Sequence, residues 1–530
     1  MEEKKLSLRE ALTSPDTVSI TWELIPGRGS FDKHQEEALK MAELAAKDPR
    51  IHGVTLTDNP GGKPAILPYA LAQEIKKMGI DPLIHFTCKD KNRNSIHSDL
   101  YALERAGLNY LLVMTGDYPV EGYSSQAGKV FDIDSVQAVK MISDMNKGEE
   151  IPAGKGVTKL PPTHFFPGVV VSPFKRTEQE QVTQYYKLFK KVKMGAQFVI
   201  SQIGYDPRKI EELKIFMKQN GLNVPLVGNV FLLPYGVAKM MNENKIPGCY
   251  IPDEMLWEID KERGRYSNHK EAQLLRSAKL YAVCRGLKTD GINIGGHGLK
   301  YSDVQYIIEK GEELTKNWQD IAEEFQSLHK EGAHFYYYEK QPDSNWNTEK
   351  PVDLSKTGDK KFHLGFRMFH LLHVLVFEHG APFHELGKAA IKLIADSPLE
   401  KPFEWFEHML KFFGNGCRFC GDCAMVERGY VCPMSKCPKQ QRNGPCGGSY
   451  NGWCEVYPNK QKCAYVLAYD RLKDCVKDAD KLRRDYIPPV DGSLYKTAAW
   501  INYFTGKDFT SRPDYVRNFD ELEKKGPETK

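Results

Sequence analysis

"TVSITWELIPGRGSFDKHQEEALKMAELAAKDPRIHGVTLT", residues 17–57, holds two apolar, β-branched runs separated by a charged stretch of helical period. "TVSITWEL" (17–24) and "GVTLT" (53–57) read as buried strands, with "DKHQEEALKMAELAAK" (32–47) as the amphipathic helix between them. A strand, a crossover helix and a second strand make a parallel pair covered by the helix. The alternation continues through "DPLIHFTC" (81–88), "YLLVMTG" (110–116), "GVVVSP" (168–173), "FVISQIG" (198–204), "VPLVGNVF" (224–231) and "GINIGGHG" (291–298). Other helical stretches, "LPYALAQEIKKM" (67–78) and "EQEQVTQYYKLFKKVKM" (178–194), fall between them. Eight such units in about 310 residues predict an α/β fold, a (β/α)8 barrel over residues 1–314. The alternative, a doubly wound open sheet, lacks a GxGxxG turn after its first strand.

The chain has 530 residues and is 41% hydrophobic, enough for a large core and more than one domain. Lys and Arg total 74 against 70 Asp and Glu, so no charge field argues for nucleic acid or a membrane surface. The opening "MEEKKLSLRE" has no apolar leader, and the most apolar run, "MFHLLHVLVF" (368–377), is too short to span a bilayer. The expectation is a cytoplasmic protein, with no nucleic-acid partner and no membrane span. Residues 315–410, rich in helix formers, aromatics and histidine, read as a helical connector. There His370 and His373, at i and i+3 in an apolar segment, read as packing groups. The stretch 411–480 reads as a cysteine-rich metal-binding module, and 481–530 as a tail held to the body by Trp500, Tyr503, Phe504 and Tyr515.

In a barrel of this kind chemistry sits at the C-terminal strand ends. The polar residues there are Glu23, Thr57, His85 with Thr87, Asp117, Ser172 and Gln202. Each alone has a plain reading: a helix cap, a solvated loop charge or, for His85, a satisfied core histidine. Six polar strand ends converging on one mouth point instead to a small-molecule site.

"VSITWELIPGRG" (18–29), "VTLT" (54–57), "HFTC" (85–88), "TGDYP" (115–119) and "GAQFVISQIGYD" (195–206) resemble, in order, the strand motifs of methylenetetrahydrofolate reductases. The resemblance covers residues from about 15 to 310. It implies that Glu23 is the general acid that opens the five-membered ring of methylenetetrahydrofolate. It implies that Asp117 and Gln202 contact the pterin, with Asp117 in the catalytic set. Thr57, His85, Thr87, Thr115 and Ser172 would line a flavin. Where the family has an arginine before Gly-Asp this chain has Thr115, which leaves FAD and FMN both open. His297, in "NIGGHGLK", matches the last family strand only loosely.

Before Cys417 the chain uses three cysteines; then Cys417, Cys420, Cys423, Cys432, Cys437, Cys446, Cys454 and Cys463 fall within 47 residues. In a reducing compartment such density signals metal rather than disulfides. Eight thiols divide into two sites of four, which could be two iron–sulfur clusters of the 4Fe–4S type, two zincs, or one of each. Which cysteines share a centre is not set by the spacing. "CPKQQRNGPCGGSYNGWCEVYPNKQKCAYVLAYDRL" (437–472) resembles the cysteine-rich module fused or paired with methylenetetrahydrofolate reductases of anaerobic one-carbon-fixing bacteria, which implies electron transfer. Under that resemblance, Gly444, Gly447 and Gly448 let backbone N–H groups turn toward cluster sulfurs. Cys475 stands apart from the set.

The resemblance as a whole implies reduction of 5,10-methylenetetrahydrofolate by a flavin that receives electrons through iron–sulfur centres. Its partners would be tetrahydrofolate derivatives and a redox partner, ferredoxin or a separate electron-input subunit. The alternative is a pterin-dependent methyltransferase with zinc in the cysteine module. Whether the chain forms a homo-oligomer stays open.

Overall fold

The computed structural model describes residues 5–154, 156–265, 269–357 and 363–521. The strands, in chain order, are β1 (Ser19–Leu24), β2 (Ile51–Leu56), β3 (Asp81–Thr87), β4 (Tyr110–Met114), β5 (Glu150–Ala153), β6 (Gly156–Lys159), β7 (Phe166–Val171), β8 (Phe198–Ser201), β9 (Leu226–Phe231), β10 (Gly291–Gly295), β11 (Tyr338–Lys340) and β12 (Asn347–Pro351). Eight of them close a parallel barrel in the order β1-β10-β9-β8-β7-β4-β3-β2. These are the eight expected strands, so the fold is the (β/α)8 barrel. The hairpins β5–β6 and β11–β12 stand outside it.

The barrel is filled and then sealed from below. Leu83, Leu112, Phe166, Phe198, Ile200 and Val227 meet inside it, and Leu8 and Leu12 of helix α1 (Leu8–Thr13) join them. A capping box between Ser7 and Glu10 starts α1, and Leu8 N–H donates to Asp81 at 2.8 Å. The helices α2 (Lys33–Lys47), α3 (Pro68–Lys77), α4 (Arg93–Arg105), α5 (Ser135–Met145), α6 (Glu178–Lys193), α7 (Pro207–Gln219), α8 (Tyr235–Asn242), α9 (Asp253–Arg265), α10 (His269–Gly286) and α11 (Tyr301–Leu314) follow the strands. Their apolar stripes form the main core against the outer barrel face.

One barrel helix departs from its sequence pattern. A surface helix keeps its charged face in water, but on α6 Glu178, Glu180, Gln184, Lys187, Lys190 and Lys191 are all buried. The C-terminal third of the chain covers that face, packing helix Ala464–Arg471 onto it. Between barrel and cysteines lie α12 (Trp318–Ser327), the β11–β12 hairpin, α13 (Leu364–Leu372), α14 (His384–Ile394) and α15 (Glu400–Asn415). There His370 meets the Tyr430 hydroxyl at 3.3 Å, and the rings of His379 and His384 lie 5.1 Å apart. Ile487 and Phe509 of the tail are fully buried, and residues 522–530 lie outside the described residues. Among the described residues no helix is long and apolar enough to cross a membrane.

Candidate active site and thiol quartets

Glu23, next to last in β1, points into the C-terminal mouth opposite β10. Gly295 of β10 lies against it: a Cβ there would stand 3.4 Å from Glu23 Oε1, in ordinary contact. The low-dielectric wall pushes the Glu23 carboxyl up to about 7 by desolvation. His85, half-buried in β3, is lowered to about 4 by the same cause, so its ring is neutral near pH 7. Thr57 and Ser172 are buried, with hydroxyls that find no hydrogen-bond partner among the described residues. Unpaired buried hydroxyls at a strand-end mouth are what a polar heterocycle would satisfy, so these positions fit a flavin. Thr87 and Thr115 are already engaged. Thr87 donates to Asp58 at 2.6 Å, and Thr115 donates to the Gln441 side-chain oxygen at 2.9 Å.

Asp117 accepts the Gly61 N–H at 2.8 Å and lies near the ammonium groups of Lys89 and Lys439. Gln202 faces Gly248: a Cβ on Gly248 would stand 3.4 Å from Gln202 Nε2 and 3.2 Å from the Gly447 carbonyl. Gly447 directly follows Cys446, so a cysteine loop sits on the barrel mouth. Lys439 donates to the Gly116 carbonyl at 2.8 Å, and Lys175 to the carbonyls of Gly447 and, at 3.0 Å, Ser449. The expected site residues Glu23, Asp117 and Gln202 therefore share one roofed mouth. His297 is exposed, past the end of β10.

The eight thiols form two groups along the chain, and none is in a disulfide. Cys417, Cys420, Cys423 and Cys432 line one cavity with Glu407, His408 and Lys411. Cys437, Cys446, Cys454 and Cys463 form the second group, close enough to influence one another's titration. This second quartet is the one on the barrel mouth, with Lys187 of α6 beside Cys446 and Cys437. Burial pushes the thiols of Cys423 and Cys446 up to about 12.

Two kinds of neighbour oppose that burial and favour thiolates. Backbone N–H groups shortly after four of the cysteines aim at the sulfur: Phe419 at Cys417 (3.3 Å), Gly448 at Cys446, Val456 and Tyr457 at Cys454, and Tyr465 and Val466 at Cys463. Buried cations are the second kind. Desolvation opposes the charge on Lys411, but Cys423, Glu407 and Cys417 outweigh it and hold its pKa above the ordinary range. Each group sets four thiols beside a buried cation, Lys411 in the first and Lys187 in the second, a donor set of the kind a metal–thiolate centre uses. Among the described residues no three His, Cys, Asp or Glu converge on a single point as one bound ion requires.

Polar contacts fix the roof in register. Asp134, the N-cap of α5, accepts the N–H groups of Arg442 and Asn443 at 3.0 and 2.8 Å. Lys190 of α6 and Arg428 share Asp485 at 2.7 and 2.8 Å, all three buried. Sequence reasoning missed Lys175, Gly248, Lys439 and Gln441. "SPFKR" (172–176) carried a signal, two cations just past a strand end. Lys439 and Gln441 gave none, because their role exists only once the roof is seated.

Residues 8–291 match the family described as methylenetetrahydrofolate reductase, and residues 397–493 match that described as methylene-tetrahydrofolate reductase C terminal. Methylenetetrahydrofolate reductase 2 of Schizosaccharomyces pombe is 22% identical over 261 residues, 47% of this chain and 38% of the relative, so well under half of that protein is spanned. An uncharacterized protein from Clostridium thermocellum that binds two copies of 5-methyl-5,6,7,8-tetrahydrofolic acid aligns at 14% identity and TM-score 0.40, covering 58% of this chain and 99% of its own. EDTA monooxygenase from Chelativorans sp. BNC1 aligns at 11% and 0.36, over 57% and 94%. The first match runs from the first residue of α1 to the first residue of β10, more than half of the chain, and the chain belongs to the methylenetetrahydrofolate reductase family.

Proposed function

We propose that the chain reduces 5,10-methylenetetrahydrofolate to 5-methyltetrahydrofolate at the barrel mouth, with electrons arriving through the two thiol quartets. Glu23, protonated up to about pH 7, would donate its proton to the leaving nitrogen of the substrate's five-membered ring and so generate an electrophilic iminium. A reduced flavin, when bound against Thr57, His85 and Ser172, supplies the hydride that the iminium carbon accepts. Asp117 and Gln202 would hold the pterin, the carboxylate accepting from the N–H groups of its amino-pyrimidine edge. The cysteine roof keeps water from the iminium, which water would otherwise attack. Iron–sulfur clusters, when bound in the quartets, supply one-electron transfer.

The observation that carries the proposal is the seating of the second quartet: Gly447, next to Cys446, reaches the Gly248–Gln202 contact over the mouth. A structural zinc module has no need of that position, whereas a relay to a flavin does. The test is anaerobic purification with flavin, iron, sulfide and zinc assays, then turnover with dithionite-reduced methyl viologen. Cys446→Ala should abolish viologen-driven turnover, while flavin reduced by light still reduces methylenetetrahydrofolate. A wild type with zinc and no iron, or viologen turnover that survives Cys446→Ala, refutes the relay.

A further inference from the structure

Helix α15 is turned inside out. Glu404, Glu407, Lys411 and Asn415, spaced as one helical stripe, are 4%, 1%, 6% and 4% exposed. Trp405, Phe406, Phe412 and Phe413 are 65%, 53%, 50% and 79% exposed. An ordinary surface helix has the opposite arrangement. The inward polar stripe is locked. Glu407 accepts the N–H groups of Ala499 and Trp500 at 3.1 and 3.0 Å and pairs with Lys411. The backbone carbonyl of Asn415 accepts the Ser435 hydroxyl at 2.8 Å, and His408 stacks on Phe419 with ring centres 4.5 Å apart. The helix cannot roll over to bury its aromatics without breaking all of these.

The exposed face extends onto α13, where Leu364, Met368 and Leu371, at i, i+4 and i+7, are 61–64% exposed. The two helices adjoin, with Gly414 under the Phe369 ring. The four aromatics alone leave on the order of 500 Å² of apolar surface in water, at 150–250 Å² for each whole side chain. A monomer seldom leaves more than a few hundred Å² in one patch. With the α13 stripe the face approaches the roughly 800 Å² that one partner buries in a stable complex.

Charges around it have both signs, Lys401 and Arg418 against Glu400. A transient, charge-steered carrier needs a field of one sign, and a membrane-surface helix needs its polar face in water. Neither holds, so the occupant is a stably bound protein. Its chemistry follows from what lies beneath: Glu407, His408 and Lys411, on the other side of the same helix, line the cavity of Cys417, Cys420, Cys423 and Cys432. A protein on the aromatic ridge would sit one helix diameter, about 10 Å, from that quartet. This is the quartet away from the barrel mouth.

We infer that the α13–α15 face is the docking surface of a permanently bound electron-carrier protein that feeds the first quartet. The inference rests on the relay reading above. Each substrate reduced takes two electrons, delivered singly as the carrier's centre is oxidised, together with two protons from solvent.

The test places photo-crosslinking benzoylphenylalanine at Phe413 of the full-length holoprotein in its native cells and identifies the crosslinked protein by mass spectrometry. That protein, purified and reduced, is then mixed with the wild type, Phe413→Glu and Trp405→Glu. The expected result is a redox-centre protein whose electrons drive turnover in the wild type. Both variants should lose about tenfold or more of that turnover, the usual scale for an interfacial aromatic anchor, while viologen-driven turnover is unchanged. Crosslinks only to a second copy with a dimer mass by light scattering, flotation with anionic vesicles, no crosslink, a partner without a redox centre, or donor-driven turnover that survives both substitutions overturns the inference. Loss of viologen turnover in the wild type itself would instead strike the relay reading.

Discussion

Glu23→Gln should make the protein slower and more stable at once. The amide keeps the shape of the carboxyl but carries no proton to donate, so methylenetetrahydrofolate reduction should fall by on the order of 10²-fold or more with flavin still bound and reducible. Stability moves the other way because of desolvation. In the folded protein the carboxyl keeps its proton up to about pH 7, while in the unfolded chain it releases it near 4.5. The folded state thus binds more protons between these values, and wild-type stability falls as pH rises from about 4.5 to about 7, then stays level. A rise of that size corresponds to about 3 kcal/mol at full ionisation. Because the mouth leaves the carboxyl partly accessible, about 1–2 kcal/mol is the expected gain for the variant. Urea unfolding of both proteins at pH 5, 7 and 9 measures it: nearly equal midpoints at pH 5 and a gap that opens by pH 7 and holds at 9. A variant with wild-type turnover, or a gap of the same size at all three pH values, would refute the reasoning.

Gln202→Ala and Asp117→Ala should raise the folate Kd with flavin content near normal; flavin loss with unchanged folate affinity, by titration and absorbance, would reverse the ligand assignment. Cys420→Ala and Cys446→Ala should each remove about half of the iron, since the thiols fall into two separate quartets; a single substitution that empties both sites, by metal analysis, would contradict the partition. Asp485→Ala leaves the buried Lys190 and Arg428 cations facing each other and should cost about 3–5 kcal/mol; thermal unfolding and limited proteolysis should show the cysteine region loosening first.

The barrel was legible because its strands are apolar on both faces, and such runs separated by helical periods have few other ways to fold. The placement of Glu23, Thr57, Asp117, Ser172 and Gln202 at strand ends was legible because the strand ends of a barrel converge by geometry; their roles are part of the proposal. The partition of thiols was hidden, because C-x2-C spacing fixes neighbours but not which distant cysteine joins them. The orientation of helices α6 and α15 was not legible for one reason: a periodic pattern reveals two faces but not which one meets water. On α6 both faces are interior: Lys190 meets Asp485, Lys187 meets Gln441, and the Tyr186 hydroxyl meets Asp480. On α15 the polar face is the interior one, because Lys411 and Glu407 have the thiol quartet and the N–H groups of Ala499 and Trp500 to serve.

The covered face of α6 also bears on how the chain is made. Synthesis delivers the barrel well before residues 417–485, so for a time this face is wet. Glutamates, glutamines and lysines tolerate that interval, where leucines would offer nascent chains a surface for aggregation. Lys190, lowered to about 8 by burial and by Arg428 in the finished protein, lacks its partners Asp485 and Arg428 until the roof arrives. The late-arriving part then meets a barrel already soluble and already complementary to it, and the union is sealed by expelling water from a polar seam rather than by closing an oily one.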